Sequence, residues 1–239
     1  MPALVTENIT AGYGRNVIIS NISLSADVGT ITTIIGPNGA GKSTYAKTLI
    51  GILRTQTGSI KVNDRDITKM PGHLIPRNGM VYVPQNDNVF VNLSVRENLE
   101  IGGFAVHGDT SARLDEILDA FPDLKKATGK RAGNLSGGQQ NLLAIARSLM
   151  VKPTVIVLDE PTAGLSPAYT DVVWNQIETI RGTGTAVLVV EQNVERALKH
   201  ADFVHIFVAG TNHLHGPTAE IAKHDLAAIF LGRAEAPQS

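Results

Sequence analysis

Residues Gly36, Pro37, Asn38, Gly39, Ala40, Gly41, Lys42 and Ser43, with Thr44 behind them, read G-x-x-x-x-G-K-[ST]. The glycines let the backbone curl so that several N–H groups point at one anion. A helix opening at the end of such a loop adds its positive dipole end. Lys42 can then reach the outer phosphates of a bound nucleotide, and the Ser43 hydroxyl can hold Mg²⁺. The apolar run Ile31–Ile35 ahead of the loop reads as a strand and the residues behind it as a helix. That context separates a phosphate-binding loop from a chance Gly-rich turn, and the chain is expected to bind a nucleoside triphosphate.

Two further groupings bear on the same chemistry. Val155-Ile156-Val157-Leu158 is a fully apolar run that ends in Asp159-Glu160. In open α/β sheets ligands bind at the C-terminal ends of the strands. Asp159 is placed there to bind Mg²⁺, and Glu160 to orient or deprotonate an attacking water. The plainer alternative is a strand ending in two solvated acids. Leu135-Ser136-Gly137-Gly138-Gln139 precedes a helical pattern running to Met150. A hydroxyl and two glycines at a helix start make a second anion site, or an ordinary Ser N-cap with Gly-Gly in the turn. One triphosphate does not need two cradles on separate helices of one chain, so the second cradle would serve a nucleotide held by another chain.

The elements that must position these groups follow from periodicity. The first 85 residues hold short β-type runs at Leu4-Val5, Val17–Ile19, Ile22–Leu24, Ile31–Ile35, Ser59–Val62 and Met80–Val83. Residues 86–150 change to helical spacing over Val95–Leu99, Ala112–Phe121 and Gln139–Met150, with Leu142, Leu143, Ala146, Leu149 and Met150 on one face. Residues 151–220 return to buried strands alternating with helices, the signature of an α/β protein with a covered parallel sheet.

Composition narrows the partners. The 239 residues are 43% hydrophobic, enough for one packed core, and the net charge of −1 advertises no bulk attraction to nucleic acid or anionic lipid. Absence of cysteine removes disulfide and thiol chemistry and fits a reducing compartment. The seven histidines form no zinc pattern; His213 and His215, beside Gly216-Pro217, read as a solvated loop. Apolar runs such as Val155–Leu158 and Ala186–Val190 fall far short of the ~20 residues of a spanning helix. The start resembles no secretory signal, and the tail 234–239 reads as frayed.

In order and kind, these motifs resemble those of the ATP-binding cassette (ABC) ATPases over roughly residues 4–232. The resemblance implies a single P-loop NTPase domain of the ABC type, with an antiparallel β subdomain and an inserted helical subdomain. Residues 1–85 and 151–239 would form the nucleotide-binding core, and residues 86–150 the helical part with the signature. It implies that Tyr13, otherwise a half-buried strand tyrosine, stacks on adenine. Gln85, otherwise a surface loop residue, would sense Mg²⁺ and the attacking water and begin the segment facing a transmembrane partner. Ser136, Gly137, Gly138 and Gln139 would meet the γ-phosphate held by the opposite subunit, and Ala163–Pro167 would couple the two sites of the dimer.

The motif departs from the general family at Gln192, where most members carry histidine. An amide still donates a hydrogen bond to a γ-phosphate but carries no proton. From chemistry alone Gln192 is a polar residue at a helix start. Val190-Glu191-Gln192-Asn193 nevertheless resembles the second ATPase subunit of bacterial branched-chain amino-acid, urea or short-amide importers. Asn98–Gly103, Arg131–Gly133, Ala163–Pro167 and Phe230–Gly232 point the same way. The implied partners are a homologous ATPase or a second copy closing on shared ATP and Mg²⁺, two permease chains, and indirectly a solute-binding protein; nucleic acid is not among them. The implied place is the cytoplasmic face of the membrane. The alternative is a soluble cassette ATPase outside transport, though 239 residues leave no room for the long coiled coils or second cassette of repair and translation members.

Overall fold

Strands with no polar face must be covered on both sides. Three here are buried along their whole length: β3 (Ile31–Ile35), β7 (Val155–Asp159) and β8 (Ala186–Val190). In the computed structural model, which describes residues 1–86, 88–105 and 108–230, they lie inside a six-stranded sheet of order β10-β9-β3-β8-β7-β6. The remaining strands are β6 (Met80–Val83), β9 (Phe203–Val208) and β10 (Thr211–Pro217). All pairs are parallel except β9 with β10.

Alternation along β7 and β8 sends their side chains into two different parts of the core, and a third cluster forms around Ile35, Val204 and Ile206. Ile156, Leu158, Val187 and Val189 face α5 (Gly137–Ser148) and α6 (Pro167–Gly182), where they meet Leu142, Leu143, Val173 and Trp174. Val155, Val157, Ala186, Leu188 and Val190 face the other way, towards α1 (Lys42–Leu49) and a second sheet. That second sheet is antiparallel, with order β2-β1-β4-β5, from β1 (Pro2–Tyr13), β2 (Asn16–Asp27), β4 (Thr55–Val62) and β5 (Arg65–Asp66).

β1 and β2 are each 12 residues long, where the sequence pattern shows only short apolar runs. The reason lies at Asn8 and Asn21, both with φ of 53°. Asn tolerates the left-handed region, and the register of the β1–β2 pair shifts around these residues, so the alternation breaks while the strands continue.

Between β6 and β7 the chain is helical: α2 (Val95–Gly102), α3 (Ser111–Ala120), α4 (Pro122–Lys126) and α5. α2 opens with a reciprocal cap between Ser94 and Glu97. The apolar face expected on α5 is buried, and so are Ala144 and Ile145, because the helix is sunk between the sheet and its helical neighbours. Leu231, Gly232 and the tail lie outside the described residues.

One expectation is corrected. His213 and His215 sit on β10, not in a solvated loop, and Gly216-Pro217 closes that strand against Val204 and Phe203. His215 pairs with His205 of β9, and their rings stack 5.3 Å apart. His205 is buried, its Nδ1 is 2.9 Å from the Asn212 amide, and its Nε2 has no partner among the described residues. Burial pushes the pKa of His205 from 6.5 down to about 3, with His215 adding to the shift.

The unfolded chain therefore takes up a proton at His205 that the folded chain refuses, and stability is lost as pH falls from about 6.5 towards 3. At pH 5 this one group costs about 2 kcal/mol. Urea unfolding of wild type and His205→Leu, each near pH 7 and pH 5, should show wild type losing more stability by about that amount; equal losses would exclude the effect.

Candidate functional site

Because β3, β8, β7 and β6 run in the same direction, their C-terminal ends share one edge of the sheet, the edge at which α/β proteins bind ligands. β3 delivers the 36–43 loop, β6 delivers Gln85, β7 ends at Asp159 with Glu160 following, and β8 leads into Glu191 and Gln192. The ladder continues past the strands. Glu160 N–H donates to Val190 O at 2.9 Å, and Glu191 N–H donates to Ile34 O at 3.0 Å.

The loop needs two of its glycines for different reasons. A Cβ on Gly36 would lie 2.1 Å from the Phe207 carbonyl oxygen, so only glycine lets the loop leave β3 alongside β9. Gly41 has φ of 94° and ends the loop against Ile19. α1 then starts with no side-chain cap. Its first N–H groups are left for an anion. Thr44 is buried in the first turn.

Lys42 is buried, and its Nζ donates to Gly36 O at 2.8 Å and Pro37 O at 3.0 Å. Desolvation lowers its pKa, while the charges of Glu160, Asp159 and Glu191 oppose that shift. Ser43 Oγ donates to Asp159 Oδ1 at 3.1 Å, and Tyr82 OH donates to Asp159 Oδ2 at 2.9 Å. Burial pushes the Asp159 carboxyl up against these two bonds, and burial with Asp159 beside it pushes the Tyr82 hydroxyl up. Ser43 and Asp159 thus present hard oxygens side by side. Among the described residues no group of three or more His, Cys, Asp or Glu side chains could hold a metal. A pair of protein oxygens suits Mg²⁺, which keeps waters and takes phosphate oxygens to complete its shell.

Glu160 has φ of 50°. Regular alternation would send Asp159 and Glu160 to opposite faces of the sheet. The left-handed residue breaks that alternation, and both carboxylates act on Lys42. Gln85 Nε2 donates to Glu160 Oε2 at 2.8 Å, and Gln192 Nε2 donates to Oε1 at 2.5 Å. The carboxylate is bracketed by two amides from two different loops. Gln85 therefore lies against Glu160, and Gln192 is not the cap of the helix it precedes; Asn193 caps α7 (Val194–His200). Tyr13, at the end of β1, is 51% exposed, so its ring is open to a ligand.

The remaining expected group lies apart. Ser136 Oγ accepts from Gln139 N–H at 3.3 Å, and Gln139 Oε1 accepts from Ser136 N–H at 3.1 Å, so Ser136 is an N-cap of α5 in this chain. Among the described residues, these two side chains make no hydrogen bond to residues 36–44. Periodicity and motif reading passed over Tyr82, Thr162 and Glu191. The edge rule that singled out Asp159-Glu160 after one apolar strand applies equally to Glu191 after Ala186–Val190.

Comparison with known proteins bears on the family and the fold. The family profile described as ABC transporter matches residues 19–163. The chain is 38% identical over 224 residues to "Probable branched-chain amino acid transport ATP-binding protein LivF" of Archaeoglobus fulgidus, covering 93% of this chain and 95% of that protein. It is also 38% identical over 226 residues to the high-affinity branched-chain amino acid transport ATP-binding protein BraG of Pseudomonas aeruginosa, covering 94% and 93%. The lipopolysaccharide export system ATP-binding protein LptB of Escherichia coli is 32% identical over 240 residues, covering 97% and 98%. Among solved structures, a nucleotide-free ATP-binding cassette from an ABC transporter superposes with a TM-score of 0.86 at 29% identity, over 95% of this chain and 96% of that one.

Two adjacent glycines of the 136–139 segment should behave differently. A Cβ on Gly138 would lie 2.2 Å from the Tyr169 ring, while one on Gly137 would meet nothing within 4 Å. Gly138→Ala is expected to lower stability by about 1–3 kcal/mol through overpacking. Gly137→Ala should leave it within about 0.5 kcal/mol of wild type. Thermal unfolding of the two variants checks both.

Proposed function

Because this chain belongs to the ABC transporter family as an ATP-hydrolysing subunit, we propose that it powers the import of branched-chain amino acids or a related small polar solute. The observation that carries the site assignment is the convergence of Lys42, Ser43, Asp159 and Glu160 at one edge of the parallel sheet. The cargo rests on the 38% identity to LivF and BraG, set against 32% to LptB.

In this reading Tyr13 covers the adenine, and the N–H groups of residues 36–44 surround the phosphates. Lys42 exchanges the carbonyls of Gly36 and Pro37 for phosphate oxygens. Ser43 and Asp159, with Gln85 near, hold Mg²⁺, which supplies positive charge to the outer phosphates. Glu160 takes the proton of the attacking water, held in place by the Gln85 and Gln192 amides. Gly137, with open space around it, and its neighbours Ser136, Gly138 and Gln139 meet the nucleotide of a second ATPase chain, which closes the site from outside. That chain is a homologous ATPase carrying the usual histidine, or a second copy.

Among the described residues no helix is long and apolar enough to cross a membrane. The work is therefore passed to permease chains. A groove of about 290 Å³ lined by Tyr82, Val83, Ile101, Phe104 and Arg147 suits a permease segment, and Phe104 is 86% exposed at its rim. It begins beside the strand that leads to Gln85, so docking and the γ-phosphate region share one element. The chain would lie peripherally on the cytoplasmic face, with a solute-binding protein choosing the cargo.

Glu160→Gln is expected to lower Mg-ATP hydrolysis by about 100-fold or more while ATP binding survives, and to shift from monomer to dimer by solution mass when Mg-ATP is added. Unimpaired hydrolysis would remove Glu160 as the base; a variant that binds ATP yet stays monomeric would assign the closing surface to the homologous partner. For the cargo, a strain lacking this chain should lose leucine, isoleucine and valine uptake, restored by wild type and not by Lys42→Ala. Unchanged uptake would refute the cargo assignment.

A further inference from the structure

We infer that Glu191 is a positioning residue, tying the loop that carries Gln192 to the loop that follows Glu160 and so setting where the Gln192 amide meets the Glu160 carboxylate. The inference rests on the reading of Glu160 as the base. Glu191 is only 4% exposed, a burial that an acid tolerates when its oxygens are fully engaged. One oxygen accepts two successive backbone N–H groups, from Gln192 at 2.9 Å and Asn193 at 3.2 Å. The other accepts the Thr162 hydroxyl. Hydrogen bonds to an ionised acceptor are the stronger kind, and three of them converge here.

Each of these bonds ends on something the site uses. Gln192 is next in sequence, and its long side chain has several rotatable bonds, so its amide stays on Glu160 Oε1 only while its backbone is held. Asn193 caps α7 through Arg196 N–H at 3.0 Å. Thr162 lies two residues after Glu160, and its neighbour Pro161 offers its carbonyl to Asn141 of α5 at 3.1 Å. Between the two loops lies a cavity of about 400 Å³ walled by Glu160, Gly164, Gln192 and Arg196. Glu191 and Thr162 also line that cavity, so their bond is a strut between the two loops in its wall. It joins the loop that touches Glu160 through the Gln192 side chain to the loop that follows Glu160 in sequence.

The chemistry of the strut dictates which substitutions spare it. In Glu191→Gln the amide oxygen can face the two backbone N–H groups, and the amide NH₂ can donate to Thr162 Oγ, because a hydroxyl accepts as readily as it donates. Glu191→Ala leaves two N–H groups and a hydroxyl without a partner. Thr162→Val cuts the tie to the second loop and keeps the backbone bonds.

The test uses the full chain in two measurements. Without nucleotide, amide hydrogen exchange at Gln192 and Asn193 should quicken about 10-fold or more in Glu191→Ala and stay near wild type in Glu191→Gln. In steady-state hydrolysis, Glu191→Ala should lower kcat about 10- to 100-fold with KM for ATP within about 3-fold of wild type, and Glu191→Gln should recover most of the loss. Added to Gln192→Ala, Glu191→Ala should lower kcat by less than about 2-fold, since it acts through Gln192. Unchanged exchange, a loss confined to KM, no rescue by Gln, or losses that multiply in the double variant would each overturn the inference. Failure of the Glu160 assignment has its own signature, unimpaired hydrolysis in Glu160→Gln, and cannot be mistaken for these.

Discussion

The parallel pairing of β3, β8, β7 and β6 is the constraint on which the site depends. Parallel strands deliver their C-terminal ends to one edge, and here the ends of β3, β8, β7 and β6 lead into the polar residues of the site. The pairing of Asp159 with Val190 sets Glu160 beside the residues that follow β8. A slip of one residue would turn Val157, Leu158, Leu188 and Val189 to the wrong layers of the core. The same hydrophobic alternation that stabilises the sheet therefore fixes the chemistry at its edge. The sheet brings Gln85, Glu160 and Gln192 to one edge, and the bonds of Glu191 to the Gln192 and Asn193 N–H groups then hold the last of these loops.

Electrostatics at that edge are unbalanced. One buried lysine feels three carboxylates, Glu160, Asp159 and Glu191. A bare triphosphate would add to the surplus of negative charge, whereas a triphosphate accompanied by Mg²⁺ would not. The N–H groups at the start of α1, which has no side-chain cap, add further positive potential at the same edge.

What could be read in the sequence was whatever lies contiguous along it. The 36–44 loop, the Asp159-Glu160 pair and the 135–139 segment are each local, and the strands and helices beside them follow from apolar spacing. The long strands β1 and β2 were hidden by single left-handed asparagines at 8 and 21, which break the alternation without ending the strand. The His205–His215 stack was hidden because it joins two strands across a hairpin, and the two turn residues after His215 suggested a loop. Tyr82 and Thr162 carry no local signal, since their roles come from partners 77 and 29 residues away. Gln192 was legible as an oddity, but its partner was not. An apolar run ending in acid is visible at Glu191 as at Glu160, and only the fold shows that one carboxylate is offered to the site while the other is spent on backbone N–H groups.

In the single chain the groups proposed to bind and act rest on substitutes. Lys42 rests on two carbonyls of its own loop, Glu160 rests on two amides, and Gly137 faces open space. Each substitute is a neutral dipole that a phosphate, a water or a second chain can displace at small cost, because the group displaced returns to solvent or to its neighbours. The Gln192–Glu160 bond has a particular consequence. An amide in place of an imidazole has no proton to gain or lose, so the residue at 192 cannot break this contact by titrating. In the proposed function, coupling between hydrolysis and closure would run through backbone position, and the residues that fix that position would matter alongside those that touch the nucleotide.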